Sequence, residues 1–240
     1  MAWAAFVGAG LALAPWIEMQ QRTIGARMLL SSGDGAMELS VLWLTGGMAG
    51  AGLLLLARKT TERFVANVAV TGLIVFYLGL LGSFMVRIRC LEPGPAGSWL
   101  VVYVILTIKA GDIGAYFTGR AVGRTKLAPW LSPGKTVEGV GGALVLAAGV
   151  AVGGMAAWRA WAGEADPAPL NLLQALVFGL VMAIIGHLGD LVESAMKRDL
   201  GTKDSGRLVP SFGGLLDVVD SPLFAAPVAW WLLTFWGRMG

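Results

Sequence analysis

The sequence predicts an all-α fold, a polytopic helical bundle embedded in a membrane, with about seven transmembrane helices and a range of six to eight. Composition is the first reason, because 56% of the 240 residues are hydrophobic and only 14% are charged. A soluble domain carries about 25% charged residues. The mean hydropathy of +0.72 is the second reason. So much apolar surface excludes a disordered chain and a soluble domain, and the predicted solvent is a lipid bilayer.

The third reason is a series of apolar segments whose lengths suit a membrane-crossing helix, which takes about 20 residues. The first segment is short, and the fourth, sixth and seventh contain ionisable residues. No connection between the segments is long enough to form a soluble domain. The predicted spans are residues 1–17, 37–57, 64–86, 98–117, 138–158, 170–193 and 215–236.

The distribution of Lys and Arg predicts the orientation of these spans. The alternate connections 58–63, 118–137 and 194–214 carry eleven Lys and Arg residues, against six on the opposite side. The positive-inside rule places the richer set in the cytoplasm. We therefore expect an integral protein of the cytoplasmic (inner) membrane whose two most basic loops face the cytoplasm. A net charge of +3 without a run of like charges predicts no nucleic-acid partner.

Acidic residues lie within or at the ends of three predicted spans. A carboxylate at the bilayer centre costs about 2.5–3.5 kcal/mol, so such residues are functional candidates. Asp190 and Glu193 share a helix face, as do Asp217 and Asp220, while Asp112 lies in another span. Two carboxylate pairs beside basic loops predict a Mg²⁺ site, because Mg²⁺ combines one or two carboxylates with substrate phosphates. Any one of them alone could equally be a helix cap or an ion-pair partner.

A motif in the second half of the chain combines Lys, Arg, Gly and Asp residues at fixed spacings. Its residues are Ser194, Lys197, Arg198, Lys203, Asp204, Pro210, Gly213, Gly214, Asp217 and Asp220. This pattern resembles the signature of the phosphatidate cytidylyltransferase (CDP-diacylglycerol synthase) family. Two positions depart from that signature, since Phe212 stands where the family usually has His and Val218 where it usually has Arg.

Two further blocks resemble motifs of the same family. One contains Asp112, the run Gly114-Ala115-Tyr116, Gly119-Arg120 and the run from Ser132 to Gly139, and the other runs from Gly189 to Ser194. The resemblance is dense over 107–235, whereas only hydropathy agrees over 1–100. We therefore divide the chain into N-terminal transmembrane helices, 1–97, and a catalytic transmembrane region, 98–240, with cytoplasmic loops 118–137 and 194–214.

The resemblance implies a reaction in which CTP and phosphatidate give CDP-diacylglycerol and diphosphate. The resemblance also implies that the reaction needs Mg²⁺, with room for a second cation. The implied partners are CTP, a phosphatidate lipid and the bilayer, and a homodimer is compatible with the resemblance. The implied metal ligands are Asp190, Asp217 and Asp220. The implied catalytic residues are Lys197, Arg198, Lys203, Asp217 and Asp220. The implied phosphate-binding residues are Arg120, Lys126, Lys135 and Ser194, and the supporting acids are Asp112, Glu193 and Asp204.

Other functions stay open at this point. Related CTP-dependent membrane enzymes include CDP-archaeol synthases and polyprenol or phytol kinases, and the changes at Phe212 and Val218 weaken the preference for phosphatidate. A secondary transporter would use intramembrane acids too, but it is less favoured because no internal repeat is visible. A catalytically dead paralogue is the third alternative. The lone histidine, His187, is assigned to helix packing as readily as to a place beside the metal.

Overall fold

The computed structural model describes residues 2–23, 35–57, 61–92, 94–162, 169–199 and 215–237. Side-chain surroundings are described for 7–17, 41, 44–57, 61–92, 94–162, 169–199 and 219–237. The described residues form seven helices and a two-stranded antiparallel hairpin. The helices are α1 Ala2–Thr23, α2 Gly35–Leu56, α3 Phe64–Arg89, α4 Gly94–Val122, α5 Val137–Ala162, α6 Leu172–Asp199 and α7 Leu215–Gly237. The strands are β1 Lys126–Ala128 and β2 Ser132–Thr136.

These helices confirm the predicted helical class and coincide closely with the seven predicted spans. By length and composition, α3, α4, α5 and α6 can each cross a membrane. Shorter apolar stretches, Val7–Ile17 and Leu44–Leu56, lie in α1 and α2. Four long apolar helices indicate an integral membrane protein, and the total of about seven crossings stays a prediction.

The connection 118–137 differs from the predicted loop. Helix α4 continues to Val122, and the hairpin then pairs Lys126 with Thr136 and Ala128 with Ser132. The Leu131 amide closes the turn by donating to the Ala128 carbonyl at 3.1 Å. Strands of three and five residues are too short to show an alternating hydrophobic pattern, so periodicity could not reveal them.

The described contacts divide the chain into two compact units, Met1–Gly97 and Ser98–Gly240. In the first unit, α1 packs against α2 and α3. A π-helical stretch, Val75–Leu80, interrupts α3. Gly79 in this stretch lies against Gly8 of α1, where an added Cβ would come within 2.9 Å of the Gly8 Cα. The two backbones approach this closely because neither residue has a side chain.

In the second unit, α6 packs against both α5 and α7. Small residues form the contact, as is common between membrane helices. Ala143 and Ala147 of α5 are buried with Ala183 of α6, and Ala115 of α4 packs against them. Gly114 of α4 meets the backbone of Gly142 in α5. These contacts bring α4, α5 and α6 close together on the side of the unit where the hairpin begins.

The other end of the same three helices is packed with aromatic rings. Tyr103 of α4 stacks on Trp99 at 5.1 Å and on Phe178 of α6 at 5.4 Å. Trp158 of α5 meets Trp99 edge to face at 4.8 Å, and the Tyr103 hydroxyl donates to the Ala151 carbonyl at 3.3 Å. Large rings therefore hold the helices at one end, while small residues let them approach at the other.

We expect Gly179→Ala to destabilise the second unit. A Cβ at Gly179 would lie 2.6 Å from the Ala148 Cα and 2.7 Å from the Ala147 carbonyl oxygen, both backbone atoms that cannot rotate away. Overpacking of this kind costs about 1–3 kcal/mol. Thermal unfolding of the full chain in detergent should show a lower midpoint.

The matched control is Gly149→Ala on α5, where an added Cβ has nothing within 4 Å. Alanine is favoured over glycine in a helix interior by about 0.5–1 kcal/mol, so this variant should unfold at the parent midpoint or above it. Equal midpoints for Gly179→Ala and Gly149→Ala would contradict the close packing of α5 and α6.

Candidate active site

A cavity of about 400 Å³ opens among α4, the hairpin, the start of α5 and α6. Its volume falls in the range of about 300–1,000 Å³ that small-molecule sites occupy. Residues from the family-like motifs of α4, the hairpin and α6 line this cavity together, and no single segment forms it alone. The lining residues are Asp112, Ala115, Tyr116, Gly119, Arg120, Ser132, Gly134, Lys135, Thr136, Gly139, His187 and Asp190.

The hairpin and α6 meet through an ion pair in this cavity. Lys135 Nζ of β2 lies 3.3 Å from Asp190 Oδ2. The Nζ atom is buried, yet it makes no well-aligned hydrogen bond within the described part of the chain. An ammonium group carries three N–H donors, and buried donors normally find acceptors. Lys135 therefore keeps donors for the oxygen atoms of a ligand.

The carboxylates of α6 and α7 are joined by one hydroxyl group. Ser221 Oγ donates to Asp190 Oδ1 at 2.6 Å and lies 3.3 Å from Asp220 Oδ1. The Ser221 amide donates to the same Asp220 oxygen at 2.7 Å. Asp220 is only 2% exposed. Two acidic side chains are thus held beside each other at the edge of the cavity.

These two carboxylates have the chemistry of a divalent cation site. Asp220 forms no ion pair with a cationic side chain among the residues whose side chains are described. Paired carboxylates repel each other unless a proton or a cation lies between them. Mg²⁺ takes oxygen ligands and commonly needs only one or two carboxylates beside substrate phosphates. The residues whose placement is described contain no group of three or more His, Cys, Asp or Glu suited to a metal.

Two other predicted acids are each paired with a lysine of their own helix. Lys109 Nζ of α4 donates to Asp112 Oδ2 at 2.9 Å. Lys197 Nζ of α6 lies 2.8 Å from Glu193 Oε2, and Glu193 is 3% exposed. These pairs neutralise the charges of Asp112 and Glu193 locally. The supporting role of the two acids stays a prediction. Lys197 forms an ion pair with Glu193, and its predicted catalytic role stays a prediction.

Arg120 supplies a second positive charge to the cavity wall. Its Nη1 donates to the Tyr116 hydroxyl at 2.9 Å, one turn earlier in α4. Within the described ranges, no carboxylate lies at ion-pairing distance from this guanidinium. The neutral phenol orients Arg120 without cancelling its charge, which leaves the guanidinium suited to an anion.

The structure brings together only some of the predicted site residues. Asp112, Arg120, Lys135 and Asp190 line the cavity, and Asp220 joins Asp190 through Ser221. Lys126, Ser194 and Arg198 lie outside the cavity wall. Lys203, Asp204 and Phe212 lie outside the described residues, as do the side chains of Asp217 and Val218.

Sequence reasoning gave no role to Tyr116 and Ser221, although both contact charged residues of the site. Tyr116 belongs to the Gly114-Ala115-Tyr116 run of a family-like motif, and its place in that motif was the available signal. Ser221 follows Asp220 directly and had no signal of its own. His187, left undecided between packing and the site, is buried and lines the cavity.

Comparison with known proteins identifies the family of the chain. The cytidylyltransferase family model matches residues 14–236. The uncharacterised protein YnbB of Escherichia coli K12 is 41% identical over 141 residues, which cover 58% of this chain and 44% of YnbB. The phosphatidate cytidylyltransferase of Bacillus subtilis 168 is 37% identical over 161 residues, 67% of this chain and 56% of that enzyme.

A longer match is to the phosphatidate cytidylyltransferase of Synechocystis sp. PCC 6803, which is 35% identical over 219 residues. That match covers 79% of this chain and 69% of the relative. The chain thus spans about half the length of the first two relatives and about two thirds of the third. Because the family model covers nearly all of these 240 residues, the chain belongs to the cytidylyltransferase family.

Proposed function

We propose that this chain is a phosphatidate cytidylyltransferase, which converts CTP and phosphatidate into CDP-diacylglycerol and diphosphate in phospholipid biosynthesis. The observation that carries the proposal is the cavity itself. Lys135 and Arg120 face the same space as Asp190, which Ser221 links to Asp220. Cations for phosphates and carboxylates for a metal are the groups that nucleotidyl transfer requires. The names of the Bacillus and Synechocystis relatives support phosphatidate as the acceptor.

The proposed chemistry forms one bond and breaks one. An anionic oxygen of the lipid phosphate attacks the α-phosphorus of CTP. The bond from that phosphorus to the oxygen bridging to the β-phosphate breaks, and diphosphate leaves with the electron pair. No general base is needed, because a phosphomonoester already presents an anionic oxygen near neutral pH. Catalysis then depends on positioning the two substrates and on stabilising their charge.

The side chains of the cavity have distinct tasks in this reaction. Lys135 donates from its free N–H groups to phosphate oxygens, and Arg120 binds a second phosphate group through its planar guanidinium. Asp190 and Asp220 would hold Mg²⁺, with Asp217 as a further ligand and room for a second cation. Bound Mg²⁺ would neutralise phosphate charge. Ser221 keeps the two carboxylates oriented toward each other.

We place this cavity at the cytoplasmic face of the inner membrane. The hairpin that forms one wall belongs to the basic connection 118–137, which the positive-inside rule assigns to the cytoplasm. CTP is a cytoplasmic nucleotide, whereas phosphatidate resides in the bilayer. A site between long apolar helices and a basic hairpin is accessible to both. A homodimer is the assembly we would look for first.

The identity of the lipid acceptor is the part of the proposal for which alternative reactions are open. Family membership favours nucleotidyl transfer over ion transport. YnbB, at 41% identity, is uncharacterised, and Phe212 and Val218 replace two signature residues. CDP-archaeol synthesis and CTP-dependent polyprenol or phytol phosphorylation are therefore the outcomes against which phosphatidate must be tested.

Substitution of the charged residues in and beside the cavity should slow the reaction strongly. We expect Lys135→Ala and Asp220→Asn each to lower kcat by about 100-fold or more, the loss typical of removing a group that stabilises transition-state charge. The assay uses purified protein in detergent with labelled CTP, dioleoyl-phosphatidate and Mg²⁺. The products to be measured are CDP-diacylglycerol and diphosphate.

Arg159→Ala is the matched control, because this exposed cation lies near the opposite end of α5 and outside the cavity. It should retain parent activity. A folded parent that binds CTP but gives no CDP-diacylglycerol would refute phosphatidate as the acceptor. The archaeal-type and polyprenol lipids would then be assayed in its place.

Removal of the Ser221 hydroxyl should weaken the response to Mg²⁺. Ser221→Ala deletes the hydrogen bond to Asp190 but keeps the backbone bond to Asp220. Loss of a group that orients a metal ligand typically lowers metal affinity about 10–100-fold. We therefore expect the Mg²⁺ concentration for half-maximal activity to rise by about tenfold, measured by titration of the same assay.

Ser83→Ala is the control for a buried hydroxyl that serves only the fold. Ser83 is fully buried in α3 and donates to the Leu80 carbonyl at 2.6 Å. Its loss should leave the Mg²⁺ titration unchanged. If Ser221→Ala also left the Mg²⁺ concentration for half-maximal activity unchanged, the result would contradict the assignment of Asp190 and Asp220 as metal ligands.

A further inference from the structure

A single carboxylate ties the chain that precedes the hairpin to the helix that follows it. Glu138 is the second residue of α5. Its Oε2 accepts hydrogen bonds from the Arg124 amide at 3.1 Å and the Thr125 amide at 3.2 Å, and its Oε1 lies 3.1 Å from the Thr125 amide. Hydrogen bonds to an ionised acceptor are roughly twice as strong as neutral ones. Glu138 thus holds two consecutive backbone amides outside its own helix.

The segment held by Glu138 is the base of the hairpin. The Thr125 carbonyl accepts a hydrogen bond from the Val137 amide at 2.9 Å, so Thr125 is bonded on both sides of its backbone. The first strand pair, Lys126 with Thr136, follows immediately. Lys135 is the next residue along β2. The position of Lys135 therefore depends on how firmly this base is closed.

The base of the hairpin is also closely packed around Thr136. An added Cβ at Gly119 would lie 2.9 Å from Thr136 Oγ1, and one at Gly123 would lie 2.8 Å from the Thr136 Cγ2. Thr136 Oγ1 also accepts a hydrogen bond from the Gly139 amide at 3.1 Å, which caps α5. The end of α4 and the start of α5 thus enclose Thr136, while Glu138 binds the backbone amides of Arg124 and Thr125.

We propose that Glu138 is a positioning residue for the phosphates of CTP. It lies outside the cavity wall and acts through the backbone of the hairpin base. By closing that base it holds Lys135 Nζ at its place beside Asp190. This inference rests on the proposed function, because it takes the ligand of Lys135 to be a CTP phosphate. The competing explanation is that Glu138 merely stabilises α5 by placing negative charge at a helix N-terminus.

The experiment measures CTP binding by the full chain in detergent with Mg²⁺, by isothermal titration calorimetry. Glu138→Ala should raise the Kd for CTP about tenfold, and it should also lower the thermal midpoint because the Arg124 and Thr125 amides lose a charged acceptor. Glu138→Gln keeps one acceptor oxygen and should recover part of the affinity. Glu92→Ala, which removes an exposed glutamate of the first unit, should leave the Kd unchanged.

A double-mutant cycle separates positioning from a general structural role. If Glu138 acts through Lys135, adding Glu138→Ala to Lys135→Ala should cause little further loss of CTP affinity. Amide hydrogen exchange at Arg124 and Thr125 should accelerate in Glu138→Ala, because both amides lose their acceptor. Fully additive losses would overturn the inference. So would an unchanged Kd accompanied by a lower thermal midpoint, the result expected from a helix N-terminal role alone.

The Kd for CTP tests the role of Glu138 independently of which lipid accepts the nucleotide. A parent that binds CTP but produces no CDP-diacylglycerol would count against phosphatidate. In that case the comparison of Kd values would still decide the role of Glu138.

Discussion

The carboxylate of Asp190 is the group around which the site is assembled. It lies in a long apolar helix, where an unpaired charge would be costly. Lys135 from β2 and Ser221 from α7 contact its two oxygens at 3.3 and 2.6 Å. Each partner comes from a different element. Pairing this one carboxylate therefore requires the hairpin, α6 and α7 to converge. The cavity is the space left among the hairpin, α4, the start of α5 and α6.

That convergence depends on residues without side chains. Gly189 precedes Asp190 on α6, and an added Cβ there would lie 2.7 Å from the Phe224 Cβ and 3.4 Å from the Ser221 Cα. Gly179 permits a similar approach to α5. Close backbone contact lets a side chain as short as serine bridge two helices. Aromatic rings fill the space between α4, α5 and α6 around Tyr103, whereas the cavity lies toward the hairpin end of these helices.

The charges around the cavity fall into two groups. Asp112 and Glu193 are each paired with a lysine on their own helix, so they need no ligand. Arg120 is oriented by a neutral phenol, and Lys135 retains donors beyond its ion pair. Asp220 accepts hydrogen bonds from Ser221 and forms no ion pair with a cationic side chain among the residues whose side chains are described. The groups that lack a full complement of partners are those that a phosphate and a divalent cation would complete together.

Hydropathy by itself determined the helical class and the approximate bounds of every helix, because burial in lipid requires long apolar segments. The resemblance to a family signature predicted Asp112, Arg120, Lys135, Asp190 and Asp220 as site residues, and the structure places the first four around one cavity. Sequence could not decide which lysine enters the cavity: Lys126 and Lys135 lie on paired strands, and only the fold directs Lys135 to Asp190. It also could not reveal Ser221 or Glu138 as structural partners. Their roles arise from distances between separate elements, and those distances exist only once the helices have packed.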